Sequence, residues 1–376
     1  MNSEREHIVW LDLLRLVAIL MVVAVHCTDP FNVLPAARID PNYNLWGSLY
    51  GSMLRPSVPL FVMITGMLLL PVTQTMSQFY RKRILRILFP FLIWSVLYNL
   101  FPWISQTLGG TPQLVTRFFA YSGDAASPLL VDALKNIALI PFTFSAYTTH
   151  MWYVYLLVGI YLYLPIFSAW VERASDSAKR VFLMLWGVTL LLPYVQYYIS
   201  EYLFGTCAWN AFGTFYSFAG FSGYLLLGHY LGRGSKLSLF QTLLFAIPMF
   251  GLGYAITFIG FRHMVALPGA TEPMVELFFT YCSLNVVLMS VAVFLVIQKV
   301  SISGDAFKRF LATTTRFGFG IYMVHYFWVG PAFGVVGLLN LPIPFQIPAA
   351  TLLAFTGAWL MVWMLSQLPK SKYLLG

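Results

Sequence analysis

The feature that most limits this chain is a series of apolar runs, each about 20 residues long, recurring from near its start to near its end. A helix needs roughly 20 mostly apolar residues to cross about 30 Å of hydrocarbon. Such runs fall at about 8–28, 48–71, 86–106, 150–170, 181–199, 213–232, 239–260, 276–298, 317–339 and 346–368. In lipid, backbone polar groups must be satisfied within the segment, so runs of this length read as helices. The series predicts an all-α, polytopic integral membrane protein with about ten spans.

Composition agrees. Only 9% of the 376 residues are charged, against 59% hydrophobic, whereas soluble proteins carry about 25% charged residues. So few charges cannot cover a water-exposed surface. That excludes a disordered chain, a secreted disulfide scaffold and an ordinary cytosolic enzyme. The first run is no removable signal peptide, because no small-residue cleavage site follows it. No long polar insert interrupts the series, so residues 1–376 read as a single transmembrane domain. The longest interruption, about 109–149, has room for a short amphipathic helix at the interface. Three cysteines, Cys27, Cys207 and Cys282, lie far apart and have no metal-ligand spacing.

The net charge of +9 suggests nucleic acid only until the positions of the cations are examined. With the N-terminus inside, seventeen of the 22 Lys and Arg fall at inner ends and loops. The outer side keeps the other five, Arg38, Arg55, Arg117, Lys135 and Arg262. This is the positive-inside pattern of a membrane protein. It predicts cytoplasmic termini at both ends, an even number of spans and no nucleic-acid partner. Cys27 and Cys207 then share the outer side, which permits a disulfide and nothing more.

Ionisable groups inside apolar runs cost about 2.5–3.5 kcal/mol each on insertion scales and usually serve function. The opening run holds three, Asp12, Arg15 and His26. Eleven residues separate Arg15 from His26, which places both on one helical stripe about 16 Å apart along the axis. Asp12, three residues before Arg15, can pair with it on that face. The plain alternative is that Asp12 and Arg15 snorkel to the headgroups while His26 caps the outer end. A second cluster, FYRKRILRILFP, sets Arg83 and Arg86 three apart at the cytoplasmic surface. It reads either as positive-inside anchoring or as a phosphate clamp, since guanidinium binds phosphate oxygens bidentately. A third, at the head of the fourth run, gathers His150, Trp152 and Tyr153. An aromatic belt explains the last two, whereas His150 beside His26 would make an acid/base site. The ninth run adds Tyr322 and His325, where helix packing through glycines is the simpler explanation.

These stretches together resemble the integral-membrane acyltransferases of acyltransferase family 3. The opening run matches the family's aromatic-x-Asp-x-x-Arg pattern with His eleven residues after the Arg. RPSVPLFVMITGMLLL resembles its V-P-L-F-F-x-x-S-G-F stretch, with Thr65 where Ser is usual. Arg83 and Arg86 fall where the family carries its basic motif. HMWYVYLLVGIYLYLP is similar to its H-L-W-F segment, and GIYMVH to its G-I-Y-L-x-H stretch. The likeness is greatest to stand-alone O-acetyltransferases of bacterial surface polysaccharides, with no hydrolase-like domain expected after the last span.

The resemblance implies a multi-pass protein of the bacterial cytoplasmic (inner) membrane. It implies transfer of an acyl group, usually acetyl, from cytosolic acetyl-CoA to a hydroxyl of a glycan or lipid-linked saccharide outside. No metal is called for, and a homo-oligomer is compatible with the sequence. His26, with Asp12 and His150, forms the candidate catalytic set, and Arg15, Arg83 and Arg86 the candidate acyl-CoA set. Trp152, Tyr153, Tyr322 and His325 are expected to hold the acceptor. The competing reading is a transporter or flippase for a glycolipid. It would call for internal repeats and midplane carboxylates, and neither is evident.

Overall fold

A computed structural model of the protein describes residues 8–32, 40–110 and 129–376. Most of these residues are helical, with no strand among them beyond one isolated bridge, Cys207 to Asn210. Arg5, Arg38 and Arg117, which entered the charge bias above, lie outside the described residues. Eight helices are long and apolar enough to cross a membrane, or nine if the bent pair Asp305–Val324 and Tyr326–Leu338 is one span.

The count is thus lower than the ten expected, and two runs account for the difference in detail. The run at 213–232 carries only a ten-residue helix, Ser222–Leu231, after a 3-10 segment, Gly213–Phe218. Ten residues rise about 15 Å, half of what hydrocarbon requires. Gly213 and Gly220 hold φ of 51° and 85°, left-handed values at which a helix cannot continue. The run at 317–339 is apolar throughout but bends by 81° at His325. The amphipathic helix expected in the long interruption is present as Leu130–Leu139.

The chain forms two compact units, the first comprising Met1–Met21, Gly51–Thr73 and Ile166–Ala312. Here the helices Ser57–Leu69 and Ser222–Leu231 lie backbone against backbone. A Cβ on Gly66 would meet the Leu225 carbonyl carbon at 2.6 Å, and one on Gly228 the Met63 carbonyl carbon at 2.5 Å. Small residues allow such approach, and van der Waals packing then holds helices together in lipid. Leu239–Ala266 and Leu284–Gln298 pair similarly, and Asn285 is buried between neighbours that satisfy it. Its Nδ2 donates to Thr257 Oγ1 (2.7 Å) and the Phe278 carbonyl (2.9 Å), while Tyr194 donates to its Oδ1.

Gly228→Ala is therefore expected to destabilise the protein by about 1–3 kcal/mol, the usual penalty of overpacking. Gly159→Ala, where nothing lies within 4 Å of the added carbon, should be neutral or slightly stabilising, since Ala favours helix over Gly. Thermal unfolding of the two variants in one detergent checks the contrast.

The second unit comprises Val22–Tyr50, Gln74–Pro165 and Thr313–Gly376. Its helix Met76–Thr107 begins with a capping box between Thr75 and Gln78. The terminal turn Lys372–Leu375 packs on that helix, where Trp94 Nε1 donates to the Leu374 carbonyl (2.8 Å). Tyr326–Leu338 packs on Ile343–Ser366, with the ring of Trp328 against Gly357.

Candidate active site

Three histidines drawn from distant parts of the sequence meet in the second unit. His26 stands near the end of the opening helix, Val9–Asn32. Its Nδ1 lies 2.9 Å from Oδ2 of Asp29, three residues on and so on the same face. Both side chains are mostly buried, with 16% and 17% exposed. The His26 ring centroid is 5.3 Å from that of His325, 5.5 Å from that of Tyr326 and 6.3 Å from that of His150.

Local structure fixes the other two. His150 lies in a 3-10 turn, Ala146–Met151, which leads into the helix Trp152–Arg173. Ser145 caps that turn, and its hydroxyl donates to Asn99 Oδ1 of the Met76–Thr107 helix (2.7 Å). Tyr322 donates from its hydroxyl to the His150 carbonyl, so the turn is held at both ends. His325 sits at the 81° bend, where its Nδ1 lies 2.6 Å from the Tyr322 carbonyl. A carbonyl only accepts, so Nδ1 carries the proton and Nε2 of neutral His325 is left with its lone pair.

The cluster is walled by aromatics. Tyr326 stacks on His150 at 4.5 Å, and Tyr98 meets the same ring edge-on at 4.9 Å. Tyr98 is itself stacked on Phe327 at 3.8 Å and donates to the Met323 carbonyl at 3.0 Å. His150 and His325 are fully buried, yet neither nitrogen of His150, nor Nε2 of His325, has a hydrogen-bond partner among the described residues. Buried polar atoms are normally bonded, and unbonded ones call for an explanation. A site built for a polar ligand supplies one.

Among the residues singled out in the sequence, His26, His150, Tyr322 and His325 come together. Tyr153 joins their edge, its ring 5.6 Å from that of Tyr322, and Trp152 lies 6.2 Å beyond Tyr153. Asp12 and Arg15 form the expected pair, Oδ1 to Nη1 at 3.2 Å, with Asp12 buried. They belong to the first unit, and the carboxylate bonded to His26 is Asp29 rather than Asp12. Arg83 is half-buried, and its Nε has no hydrogen-bond partner among the described residues. Arg86 is exposed and donates to the Gly376 carbonyl at 3.4 Å. All three cysteines are free thiols. No group of three or more His, Cys, Asp or Glu among the described residues is placed to hold a metal ion.

Sequence reasoning missed Asp29, Tyr98 and Tyr326. The first had a signal, its i+3 spacing from His26. The other two had none, since a tyrosine within an apolar run is unremarkable.

The geometry acquires a context from comparison. The profile of a family described as an acyltransferase domain, acyltransferase family 3, matches residues 8–363. The chain belongs to this family. It is a membrane acyltransferase, and the match spans nearly the whole chain, including every site residue named above. No curated protein and no solved structure matched it. For this acyltransferase the chemistry to be explained is acyl transfer, so a group able to take a proton from an attacking nucleophile is the first requirement of the site. The imidazole of His26, with a carboxylate on one nitrogen, has that character.

Proposed function

We propose that the protein transfers an acyl group from acyl-CoA, acetyl-CoA in the simplest case, to a hydroxyl of a glycan or lipid-linked saccharide, with His26 as general base. The observation that carries this reading is the His26–Asp29 contact at 2.9 Å. A carboxylate accepts from Nδ1–H and so leaves the Nε2 lone pair available, as in hydrolytic triads. Nε2 takes the hydroxyl proton while that oxygen attacks the thioester carbonyl. A C–O bond forms, and the carbonyl electrons move onto oxygen. Collapse of the tetrahedral intermediate breaks the C–S bond, and the imidazolium returns its proton to the departing thiolate. CoA leaves as the thiol and His26 is neutral again. An N–H of His150, buried beside His26, is suited to meet the oxyanion, where preorganised donors matter most.

The donor's phosphates are assigned to Arg83 and Arg86. Four cations, Arg81, Lys82, Arg83 and Arg86, crowd the first turns of the Met76–Thr107 helix. They lie in its second and third turns, and their own charges add to a field that attracts anions. Tyr98, which touches His150, lies fifteen residues further along the same helix, about 22 Å. An extended pantetheine arm can cover that length. The positive-inside bias supports a cytoplasmic donor and an acceptor on the other side, with Tyr153, Trp152 and Tyr322 offering flat surfaces to a sugar. A bacterial cytoplasmic membrane is the setting this reading implies.

Arg83→Ala is expected to weaken acyl-CoA binding by about 1.5–3 kcal/mol, the value of a charge-assisted hydrogen bond, with turnover at saturating donor largely kept. Purified protein given labelled acetyl-CoA and membrane glycan extract supplies the test. Label should move covalently into the glycan fraction, and Arg83→Ala should raise the donor KM. Transport of a glycolipid without covalent label would overturn the proposal.

A further inference from the structure

We propose that the break between the helices Pro41–Met53 and Ser57–Leu69 is a binding site for a phosphate group, held by Arg55, Ser57 and Ser52. Residues 41–69 qualify as one membrane span, but the helix is interrupted over Leu54, Arg55 and Pro56. Arg55, at the interruption, is only 7% exposed. It has no ion pair with any described carboxylate. Its Nε donates to the Gly51 carbonyl at 2.9 Å, and its guanidinium carbon lies 4.2 Å from the ring centroid of Phe279. Phe279 is in turn stacked on Phe261 at 4.0 Å, so this support is rigid.

A guanidinium has five N–H donors in one plane. Gly51 takes one, and the Phe279 ring covers a face without using any. The four N–H groups on Nη1 and Nη2 have no hydrogen-bond partner among the described residues. A cation held this way in a membrane domain is costly, and such residues are functional by default.

The two serines point the same way. Ser52 and Ser57 are 0% and 1% exposed, and neither hydroxyl has a hydrogen-bond partner among the described residues. Other helical hydroxyls bond back to the carbonyl four residues earlier, as Ser48 and Thr65 do in these two helices and Ser290 does in Leu284–Gln298. Ser57 opens a thirteen-residue helix whose N-cap, Pro56, contributes no side-chain bond. The break therefore joins a cation with unused donors to two unbonded hydroxyls. Capping of the preceding helix would explain only the Nε bond and would leave both serines unexplained.

Phosphate at this site could come from a phosphorylated saccharide or from an anionic phospholipid headgroup. The proposal does not depend on acyl transfer, and its test needs none. Full-length protein carrying Arg83→Ala and Arg86→Ala, so that the donor site stays silent, is purified in a neutral maltoside detergent. Its unfolding midpoint is followed against inorganic phosphate, with chloride at matched ionic strength as reference.

Phosphate should raise the midpoint saturably beyond chloride. Adding Arg55→Gln should abolish that response, and adding Ser57→Ala should raise the half-effect concentration at least threefold. In phosphatidylcholine nanodiscs, added phosphatidylglycerol should remove the response if a headgroup is the occupant. A response that persists assigns the site to a soluble or saccharide-linked phosphate. Equal phosphate responses with and without Arg55→Gln, or none beyond chloride, would overturn the proposal. Should Arg55→Gln fail to fold, unchanged half-effect concentrations in both Ser52→Ala and Ser57→Ala would do the same.

Discussion

His26→Ala is expected to reduce acyl transfer by about 10²–10⁴-fold, the range that general acid–base catalysis supplies. A thioester carbonyl is a modest electrophile, and a sugar hydroxyl is a weak nucleophile until its proton is removed. On the proposed mechanism the variant keeps His150 and the substrate contacts but has no base bonded to a carboxylate. His325 also has an Nε2 lone pair, but its Nδ1 donates to the Tyr322 carbonyl and it forms no ion pair with a carboxylate among the described residues, so it is the weaker base. The fold should survive, since the His26 side chain is 16% exposed and its hydrogen bond among the described residues is local. Transfer rate and unfolding midpoint are to be measured on the same preparation. A loss of transfer with the midpoint held separates chemistry from folding.

Asp29→Asn should be nearly as severe, again about 10²–10⁴-fold in kcat. The two side chains have the same shape, so packing is kept. What changes is the proton. A carboxylate only accepts and holds the hydrogen on Nδ1, whereas an amide also donates and can trap the tautomer with its hydrogen on Nε2. In that tautomer the nitrogen facing the nucleophile has no lone pair to offer. The donor KM should stay within about twofold, since Asp29 touches His26 and not the proposed phosphate site. Asp12→Asn is a useful contrast, because Asp12 is bonded to Arg15 at 3.2 Å. It should spare the tautomer of His26 entirely.

Much of the fold was legible because lipid imposes one requirement, and apolar runs of sufficient length report it directly. The run at 213–232 misled because hydropathy measures only transfer to an apolar medium, while its helix is broken by two glycines at positive φ. The bend at His325 was equally hidden. FGFGIYMVHYFW reads as one uninterrupted apolar stretch, and the 81° turn occurs with no proline at the hinge.

The histidines were legible because a titratable group within an apolar run is expensive enough to stand out. Their convergence was not, since it depends on a 3-10 turn at Ala146–Met151 and on that bend. Asp29 could have been found by the same three-residue spacing that linked Asp12 to Arg15. Its position at the mouth of the run, before Pro30, made it look like a loop residue. Arg55 was counted only as one of the few outer cations, because burial against Phe279 comes from a segment more than 200 residues away.

His26 and Asp29 are held here to act as a single unit, and a double-mutant cycle on kcat measures this most directly. Transfer from labelled acetyl-CoA would be followed for the wild type, His26→Ala, Asp29→Asn and the double variant. If Asp29 works only through the imidazole, the double variant loses no more than His26→Ala alone. Losses that multiply, or a His26→Ala protein that turns over at the wild-type rate, would contradict it.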